Sequence, residues 1–288
     1  MNRRKFIGSS AASLAAAGLF SQLPASLYAR GSKAVKIPIG FQSYVLRTEI
    51  NDDLTGILKK MVSFGYEQVE MCSPFGYAPG NFANLTKYTG KELKNMISDT
   101  GISCYSSHFT MNELKNNLDE RIAFAQDMGL KHMVCSGGLD GKTIEELKTK
   151  CASMNLIGEK IKKAGMVAGY HNHTGEFENK KDGRPDYDII LEELNPEFVK
   201  MQFQVAAIQA GAKAADYFRK YPGRFISSHL SDFSKTDIQK QVVLGQESIV
   251  DWKDFFDAAK TGGLKWVFVE MEQDPGTLEG SVKYLKNL

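Results

Sequence analysis

Cysteine is scarce in this sequence, and its four copies among 288 residues form no metal-binding or redox motif. Cys72, Cys104, Cys135 and Cys151 show no Cys-x-x-Cys spacing, which argues against a zinc ribbon and against a redox-active pair. The first three lie in apolar, strand-like runs. We therefore interpret them as small core residues.

A large excess of charge of either sign is also missing. The formal net charge is +2, and three basic residues, Arg3, Arg4 and Lys5, lie within the first five positions. Without these three, 33 of the 36 basic residues remain against 34 acidic ones, which gives a net charge of −1. A nearly neutral chain has no general electrostatic field for nucleic acid, so we expect no nucleic-acid partner.

The N-terminal apolar stretch is too short to form a membrane span. Residues 9–20 are weakly apolar, whereas a spanning helix needs about 20 apolar residues. Together with Asn-Arg-Arg-Lys-Phe-Ile-Gly at 2–8, this stretch resembles a twin-arginine (Tat) export signal over residues 1–29. The sequence therefore predicts an exported, periplasmic protein with no stable membrane insertion after leader removal. Its cleavage site is left open.

From residue 36 onward, apolar strand-like runs alternate eight times with amphipathic helical patterns. Eight such units without a linker of biased composition predict one (β/α)8 TIM barrel of the α/β class over 36–288. A doubly wound sheet is the alternative, but Gly-Phe-Gln-Ser-Tyr at 40–44 is not the phosphate-binding turn that it needs. The predicted strands cover 37–43, 67–72, 102–107, 132–136, 166–172, 199–205, 225–230 and 264–271. The predicted helices cover 52–64, 91–100, 112–128, 143–164, 186–193, 211–221, 251–261 and 277–287.

Polar residues gather where six of these strands end, which is the functional face of such a barrel. The densest group is Tyr-His-Asn-His-Thr-Gly-Glu at 170–176, and strand alternation places His171 and His173 on one side. An unpaired buried carboxylate costs several kcal/mol, so these groups must pair with each other, a metal or a ligand. The strand-end residues are Glu70, His108, His171, His173, Gln202, Gln204, His229, Asp232, Glu270, Glu272 and Asp274.

These stretches, in this order, resemble the xylose isomerase-like TIM barrel family, also called the sugar phosphate isomerase/epimerase superfamily. The resemblance extends over essentially all of 36–288 and includes a Tyr-His-Asn-His-x-x-Glu-Phe subgroup pattern. It is carried by Gly-Phe-Gln-Ser-Tyr at 40–44, Phe-Gly-Tyr-Glu-Gln-Val-Glu at 64–70, Ser-Ser-His at 106–108, residues 162–177, Lys-Tyr-Pro-Gly-Arg-Phe at 220–225, His-Leu-Ser-Asp at 229–232 and Val-Phe-Val-Glu-Met-Glu-Gln-Asp at 267–274.

The resemblance implies one divalent cation held by Glu, Asp, His and Glu at the ends of late strands. The matching positions are Glu176, Gln204, His229 and Glu270, so glutamine stands at the Asp position. An amide oxygen ligates a hard cation without adding negative charge, and we expect weaker Mg²⁺ or Mn²⁺ binding. Compensation by His171 or His173 would favour Mn²⁺, Zn²⁺ or Co²⁺. Loss of the metal is the alternative.

The same resemblance predicts proton transfer next to a sugar carbonyl, through an enediolate. Glu176 and Glu270 are the expected bases and ligands, and His229 is the expected ligand or electrophile. No glycine-rich phosphate cradle follows strands seven and eight, and an exported protein meets few sugar phosphates. We therefore predict a sugar isomerase or epimerase whose partner is a small, non-phosphorylated sugar or keto-sugar.

Three other functions are alternatives for the same barrel. A keto-sugar or inosose dehydratase or lyase needs the same acid–base pair, because β-elimination begins with the same carbanion. A sugar-binding barrel without catalysis is favoured by Gln204. DNA repair of the AP-endonuclease type is disfavoured by too few metal ligands, the near-neutral charge and the leader. A homodimer is left open.

Further residues are predicted to contact the sugar. His108 and His171 are expected to donate to its oxygens, and the aromatic loop 73–82 to stack on its ring or act as a lid, unless the loop is packed by its own aromatics. His132 is expected to be structural, and Glu272 and Asp274 to cap the last helix. The predicted substrate-binding residues are Tyr44, Glu70, Phe75, His108, His171 and His173.

Overall fold

The computed structural model describes residues 37–288, and the predicted leader at 1–29 lies outside the described residues. Ten strands follow in chain order: β1 Ile39–Gln42, β2 Gln68–Cys72, β3 Ser103–Phe109, β4 His132–Cys135, β5 Val167–His171, β6 Lys180–Lys181, β7 Arg184–Pro185, β8 Val199–Gln204, β9 Phe225–Leu230 and β10 Trp266–Val269. The helices are α1 Arg47–Asp52, α2 Leu54–Phe64, α3 Gly90–Ser98, α4 Met111–Asn116, α5 Leu118–Met128, α6 Ile144–Lys163, α7 Gly175–Glu178, α8 Asp186–Glu193, α9 Ala214–Lys220, α10 Trp252–Gly262 and α11 Leu278–Lys286.

Eight of the strands are parallel and close into a barrel in the order β1-β10-β9-β8-β5-β4-β3-β2. The prediction of a (β/α)8 barrel is therefore confirmed, and each predicted strand is found. Gly65 and Gly263 follow α2 and α10 with φ of 108° and 93°, which is the left-handed conformation that glycine adopts most easily after a helix. Among residues 37–288, no helix is long and apolar enough to cross a membrane.

Three local predictions need correction. The single helix predicted at 112–128 is wrong: α4 and α5 are separated at Asn117, whose φ of −133° is not helical. The helix predicted at 211–221 begins only at Ala214, after a 3-10 helix at Val205–Ala210. A small hairpin, β6–β7, was not predicted, because two-residue strands leave no periodic pattern.

The two faces of the barrel strands differ in chemistry. On β8, Met201 and Phe203 point outward into the core beneath the helices, whereas Gln202 and Gln204 point into the barrel, where they hydrogen-bond to residues of other strands. Phe203 packs against an aromatic group that includes Tyr217 on α9. Strand alternation therefore sends apolar side chains to the outer core and polar ones to the interior.

Apolar side chains also pack inside the barrel, against glycines on its strands. A Cβ atom added to Gly40 would lie 2.5 Å from the ring of Phe268, so only glycine fits at this position. Gly169 similarly faces Val134 and Ile226, at 3.0 and 3.3 Å from an added Cβ. We call these apolar side chains the floor of the barrel.

Arg224 stabilises the opposite end of the barrel, just before β9. Its guanidinium donates to the main-chain oxygens of Val199 at 3.0 Å, Leu191 at 3.3 Å and Leu194 at 2.5 Å. Leu191 and Leu194 lie in the last turn and at the C-cap of α8, where carbonyl groups lack helical partners and favour a cation. Burial lowers the pKa of Arg224 to about 10.

Replacing this side chain tests its role. Arg224→Met is expected to lower the free energy of unfolding by about 3 kcal/mol, because it leaves buried carbonyl groups without donors. Arg219→Met is the control, since Arg219 forms an exposed ion pair with Asp254 and exposed pairs contribute about 1 kcal/mol or less. Urea unfolding measures both. Equal, small losses would contradict this role for Arg224.

Candidate active site

The polar interior is centred on Glu70, a fully buried carboxylate on β2. Oε1 accepts hydrogen bonds from Ser106 Oγ at 2.6 Å and Gln202 Nε2 at 2.8 Å. Oε2 accepts from Gln42 Nε2 at 2.8 Å and from His229 Nε2 at 2.5 Å. Four strands therefore contribute donors to one carboxylate, so a negative charge is held inside the barrel.

His229 lies between two carboxylates. Its Nε2 contacts Glu70, and its Nδ1 lies 3.0 Å from Oε2 of Glu270, without the alignment of a hydrogen bond. Burial alone would lower the pKa of His229, but the charges of Glu270 and Glu70 outweigh it and raise that pKa to about 10. Burial would raise the pKa of Glu70, but His108 and His229 lower it to about 2.

Two further imidazoles, those of His108 and His171, stack beside His229. The ring centroids of His108 and His171 lie 5.0 and 4.4 Å from that of His229, and 4.8 Å from each other. His108 Nε2 lies 2.7 Å from Oε1 of Gln202. Burial lowers the pKa of both His108 and His171, which keeps these two rings neutral. We call the three residues the histidine cluster.

Gln204 and Glu270 form the side of the site nearest solvent. The amide group of Gln204 donates to Oε2 of Glu270, and Gln204 Oε1 accepts from the backbone N–H of Ala206 at 3.2 Å. Ser231 Oγ donates to the main-chain oxygen of Glu270 at 2.7 Å. The predicted Gln204, His229 and Glu270 are therefore brought together.

Glu176 is held differently from the other predicted ligands. Tyr170 Oη donates to its Oε1 at 2.8 Å, and the backbone N–H of His173 donates to its Oε2 at 2.9 Å. The half-exposed ring of His173 lies 5.0 Å from that of His171. Glu176 is thus hydrogen-bonded to residues close to it in sequence, and each of its oxygens accepts one hydrogen bond.

Phe75 is not brought to this cluster. Its ring packs against Phe124 at 5.3 Å and under the guanidinium of Arg121 at 3.9 Å, both on α5. Farther along the loop, the ring of Tyr77 lies 6.1 Å from that of Phe82 and 6.0 Å from that of Tyr44, so the loop is packed in part by its own aromatics. The predicted substrate contact of Phe75 has no neighbour in the cluster, whereas Tyr44 lies just past β1 at the functional end of the barrel.

A cavity of about 250 Å³ opens beside Glu270. Glu272 lines it, and burial followed by the charge of Glu270 raises the pKa of Glu272. Asp274 instead caps the short helix at Pro275–Thr277 by accepting from Gly276. The full lining is Gln204, Ala206, Gln209, Ser231, Phe233, Gln241, Glu270, Glu272 and Gln273.

Asp232 and His132 have structural roles. Asp232 accepts from Trp252 Nε1 at 2.7 Å and from the backbone N–H of Gly245 at 2.9 Å, which anchors the loop after β9. His132 lies at the start of β4, where its ring packs 4.4 Å from Trp266. The predicted structural role of His132 agrees with this placement.

Comparison with known proteins decides the family. The family model described as "Xylose isomerase-like TIM barrel" matches residues 58–288. The chain belongs to this family. It is similar to an inosose dehydratase of Lacticaseibacillus casei, with 20% identity over 265 residues that cover 78% of this chain and 87% of the relative.

Two solved structures show the same fold. A sugar phosphate isomerase/epimerase from Parabacteroides distasonis superposes with a TM-score of 0.74 at 24% identity, covering 89% of this chain and 98% of its own. The IolI protein, which was solved with a bound zinc atom, gives a TM-score of 0.67 at 15% identity and covers 87% and 97%. Relatives of this chain thus include isomerases or epimerases and a dehydratase, and one of them binds zinc.

The residues present fit a divalent cation, with one difference from the predicted set. Nδ1 of His171 is buried without a hydrogen-bond partner, and Nδ1 of His229 lies 3.0 Å from the Glu270 carboxylate. Imidazole nitrogens and a carboxylate are a common donor set for Zn²⁺, and a bound cation would replace the proton on Nδ1 of His229. Glu176 is the predicted ligand whose oxygens are engaged elsewhere.

The sequence did not predict that Gln42, Ser106 and Gln202 donate to Glu70, although Gln202 is one of the polar strand-end residues. Neutral residues of these types carry no motif, and only their position on the inward face of a strand distinguishes them. Gln42 and Ser106 lie within the stretches Gly-Phe-Gln-Ser-Tyr and Ser-Ser-His that carry the family resemblance. The alternation of side chains along β1 and β3 places Gln42 and Ser106 on the inner face of the barrel, and this was the signal that could have identified them.

The charge on Glu70 predicts a pH-dependent stability. Because its pKa falls from 4.5 to about 2, its charge contributes stability that is present above pH 4.5 and is lost as the pH falls towards 2. This shift corresponds to about 3 kcal/mol. The wild type is therefore expected to be more stable than Glu70→Gln near pH 6, and this advantage is expected to shrink near pH 3, as measured by urea unfolding.

Glu67→Gln serves as the control, because Glu67 is exposed one residue before β2. Its difference from the wild type is expected to stay below about 1 kcal/mol at both pH values. A constant difference between wild type and Glu70→Gln at both pH values would show that Glu70 is not charged in the native protein.

Proposed function

We propose that this chain is an enzyme that moves a proton next to the carbonyl of a non-phosphorylated sugar or keto-sugar, as an isomerase or epimerase. One observation carries the proposal: the buried carboxylate of Glu270 contacts His229 and at the same time lines a polar cavity. A carboxylate that lines a cavity and also contacts a protein cation can reach a bound substrate while the protein stabilises its negative charge.

Glu270 is the proposed base. Burial would raise its pKa, but the charge of His229, whose Nδ1 lies 3.0 Å away, and the hydrogen bond from Gln204 lower it, so the group is ionised and able to accept a proton. In the absence of a cation, His229 is protonated beside Glu270 and would stabilise negative charge that develops on a substrate oxygen. A divalent cation, when bound, would supply Lewis-acid polarisation of the carbonyl. Glu70 fixes the orientation of His229.

The cavity supports a neutral sugar as the substrate class. Its lining includes the amides of Gln204, Gln209, Gln241 and Gln273, which pair with hydroxyl groups, and it includes no lysine or arginine. Glu272 adds negative charge, which disfavours a phosphate group. The volume of about 250 Å³ is of the order of one sugar ring.

Dehydration by β-elimination is the second candidate, and Glu272 favours it. Burial and the charge of Glu270 raise the pKa of Glu272, whereas the pKa of Glu270 is lowered, so Glu272 takes up a proton more readily than the base in the same cavity. A protonated carboxyl group is what a departing hydroxyl needs. Similarity to the L. casei inosose dehydratase, at 20% identity, supports this reading.

Export through a twin-arginine pathway belongs to the same proposal and rests on residues 1–29. N-terminal sequencing of the protein recovered from a periplasmic fraction tests it. A chain found there without its first residues supports export, and an intact N-terminus in the cytoplasm opposes it.

Glu270→Gln tests the reaction. With keto-sugars in deuterated water, wild type loaded with a divalent metal is expected to introduce deuterium beside the carbonyl, and the variant to lose this activity by more than about 100-fold. NMR follows the label and separates the two candidates, because an isomerase or epimerase returns a sugar and a dehydratase releases an unsaturated product. Glu279→Gln, an exposed pair partner of Lys283, is the control. Tight binding without exchange under every metal would identify a binding protein instead.

The substrate class has its own test. For one keto-sugar and its phosphate ester, the unphosphorylated compound is expected to have a kcat/KM higher by about 100-fold, since the ester would enter a cavity with two carboxylates. Glu272→Gln is expected to narrow this preference. A preference for the ester in wild type would contradict the proposed substrate class while leaving the reaction untouched.

A further inference from the structure

We propose that this chain binds its divalent cation on a histidine-rich site, formed by the histidine cluster (His108, His171 and His229) together with Glu270, and that Glu176 is not a ligand. The proposal rests on the proposed function only in placing a metal at this end of the barrel. Metal binding is measured without turnover, so the two can fail independently.

The first support is the position of the ring nitrogens. One nitrogen of each ring in the histidine cluster lies within 4.8 Å of the others, and all three residues are at most 5% exposed. Zn–N bonds of about 2.0 Å at tetrahedral angles separate two nitrogens by about 3.3 Å. Binding one ion would therefore bring the three nitrogens up to about 1.5 Å closer together.

The second support is a buried nitrogen without a partner. Nδ1 of His171 has no hydrogen-bond partner, and a buried polar atom left unpaired costs about 1–3 kcal/mol. The ring of His229 lies 4.4 Å away by centroid, and its Nδ1 faces the Glu270 carboxylate at 3.0 Å without the alignment of a hydrogen bond. A cation shared with His229 and Glu270 would give Nδ1 of His171 a partner.

The third support is the outer hydrogen bonding of the rings. Nε2 of His229 is held by Glu70, and Nε2 of His108 is held by Gln202 Oε1. Gln202 in turn donates its amide to Glu70 and Ser227, so its oxygen is the acceptor and His108 carries its proton on Nε2. An outer carboxylate or amide that fixes the tautomer is typical of metal-bound histidines, and it leaves the other nitrogen free for the ion.

The remaining donors explain why the site differs from the family pattern. Gln204 adds no charge where an Asp is expected. Glu176 is held by Tyr170 and by the backbone of His173, and within residues 37–288 its carboxylate forms an ion pair with His173 but with no ring of the histidine cluster. Imidazole ligands suit Zn²⁺ and Co²⁺, whereas Mg²⁺ requires oxygen ligands. We therefore infer a preference for Zn²⁺ or Co²⁺ over Mg²⁺.

The test titrates Zn²⁺ and Co²⁺ into the metal-stripped full chain against a chelator of known affinity. His171→Asn is expected to weaken Zn²⁺ binding by more than about 100-fold, beyond the 10- to 100-fold typical of losing an outer partner. Glu176→Gln is the matched control and is expected to change the affinity by less than about threefold. Co²⁺ is expected to give the visible absorption of a nitrogen-ligated, four-coordinate ion in the wild type and in Glu176→Gln.

Circular dichroism and thermal unfolding of each metal-free variant show whether it folds, and His108→Asn replaces His171→Asn if the latter does not. Loss of Zn²⁺ binding in Glu176→Gln with retention in both histidine variants would overturn the proposal. So would tighter binding of Mg²⁺ than of Zn²⁺, or no binding of either ion by the folded wild type.

Discussion

The interior of this barrel depends on the need to satisfy one carboxylate away from water. Glu70 is fully buried, and an uncompensated charge at that depth would cost several kcal/mol. Donors from β1, β3, β8 and β9 meet this need, and each is thereby fixed in direction. The orientation of His229, and through it the position of Glu270, follows from how Glu70 is satisfied.

The fold was readable from sequence because its signals are local and repeated. Apolar runs alternated with amphipathic helices, and glycines such as Gly65 and Gly263 marked the helix ends with the conformation that only glycine adopts easily. The errors fell where such signals are weak. Asn117 interrupts a helical pattern without a proline or glycine, and the β6–β7 hairpin is too short to show alternation.

The site was readable in part, and the reason lies in side-chain direction. Strand-end position correctly brought Gln204, His229 and Glu270 together, because parallel strands of a closed barrel must end at one mouth. It could not tell that Glu176, five residues beyond β5, turns back onto Tyr170, or that Phe75 packs outward on α5. Both depend on loop geometry, which has no periodicity in the sequence. The hydrogen bonds of Gln42 and Gln202 to Glu70 could not be predicted, because a neutral amide becomes informative only once its partner is known.

The floor formed by Phe268, Val134 and Ile226 places apolar side chains inside the barrel, where Gly40 and Gly169 leave room for them. The loop at 73–82 is pinned by Ser73, which donates to Glu113 at 2.7 Å, and by the packing of Phe75. Because this loop is held in place, a sugar bound beside Glu270 would have to exclude water from the site by its own contacts.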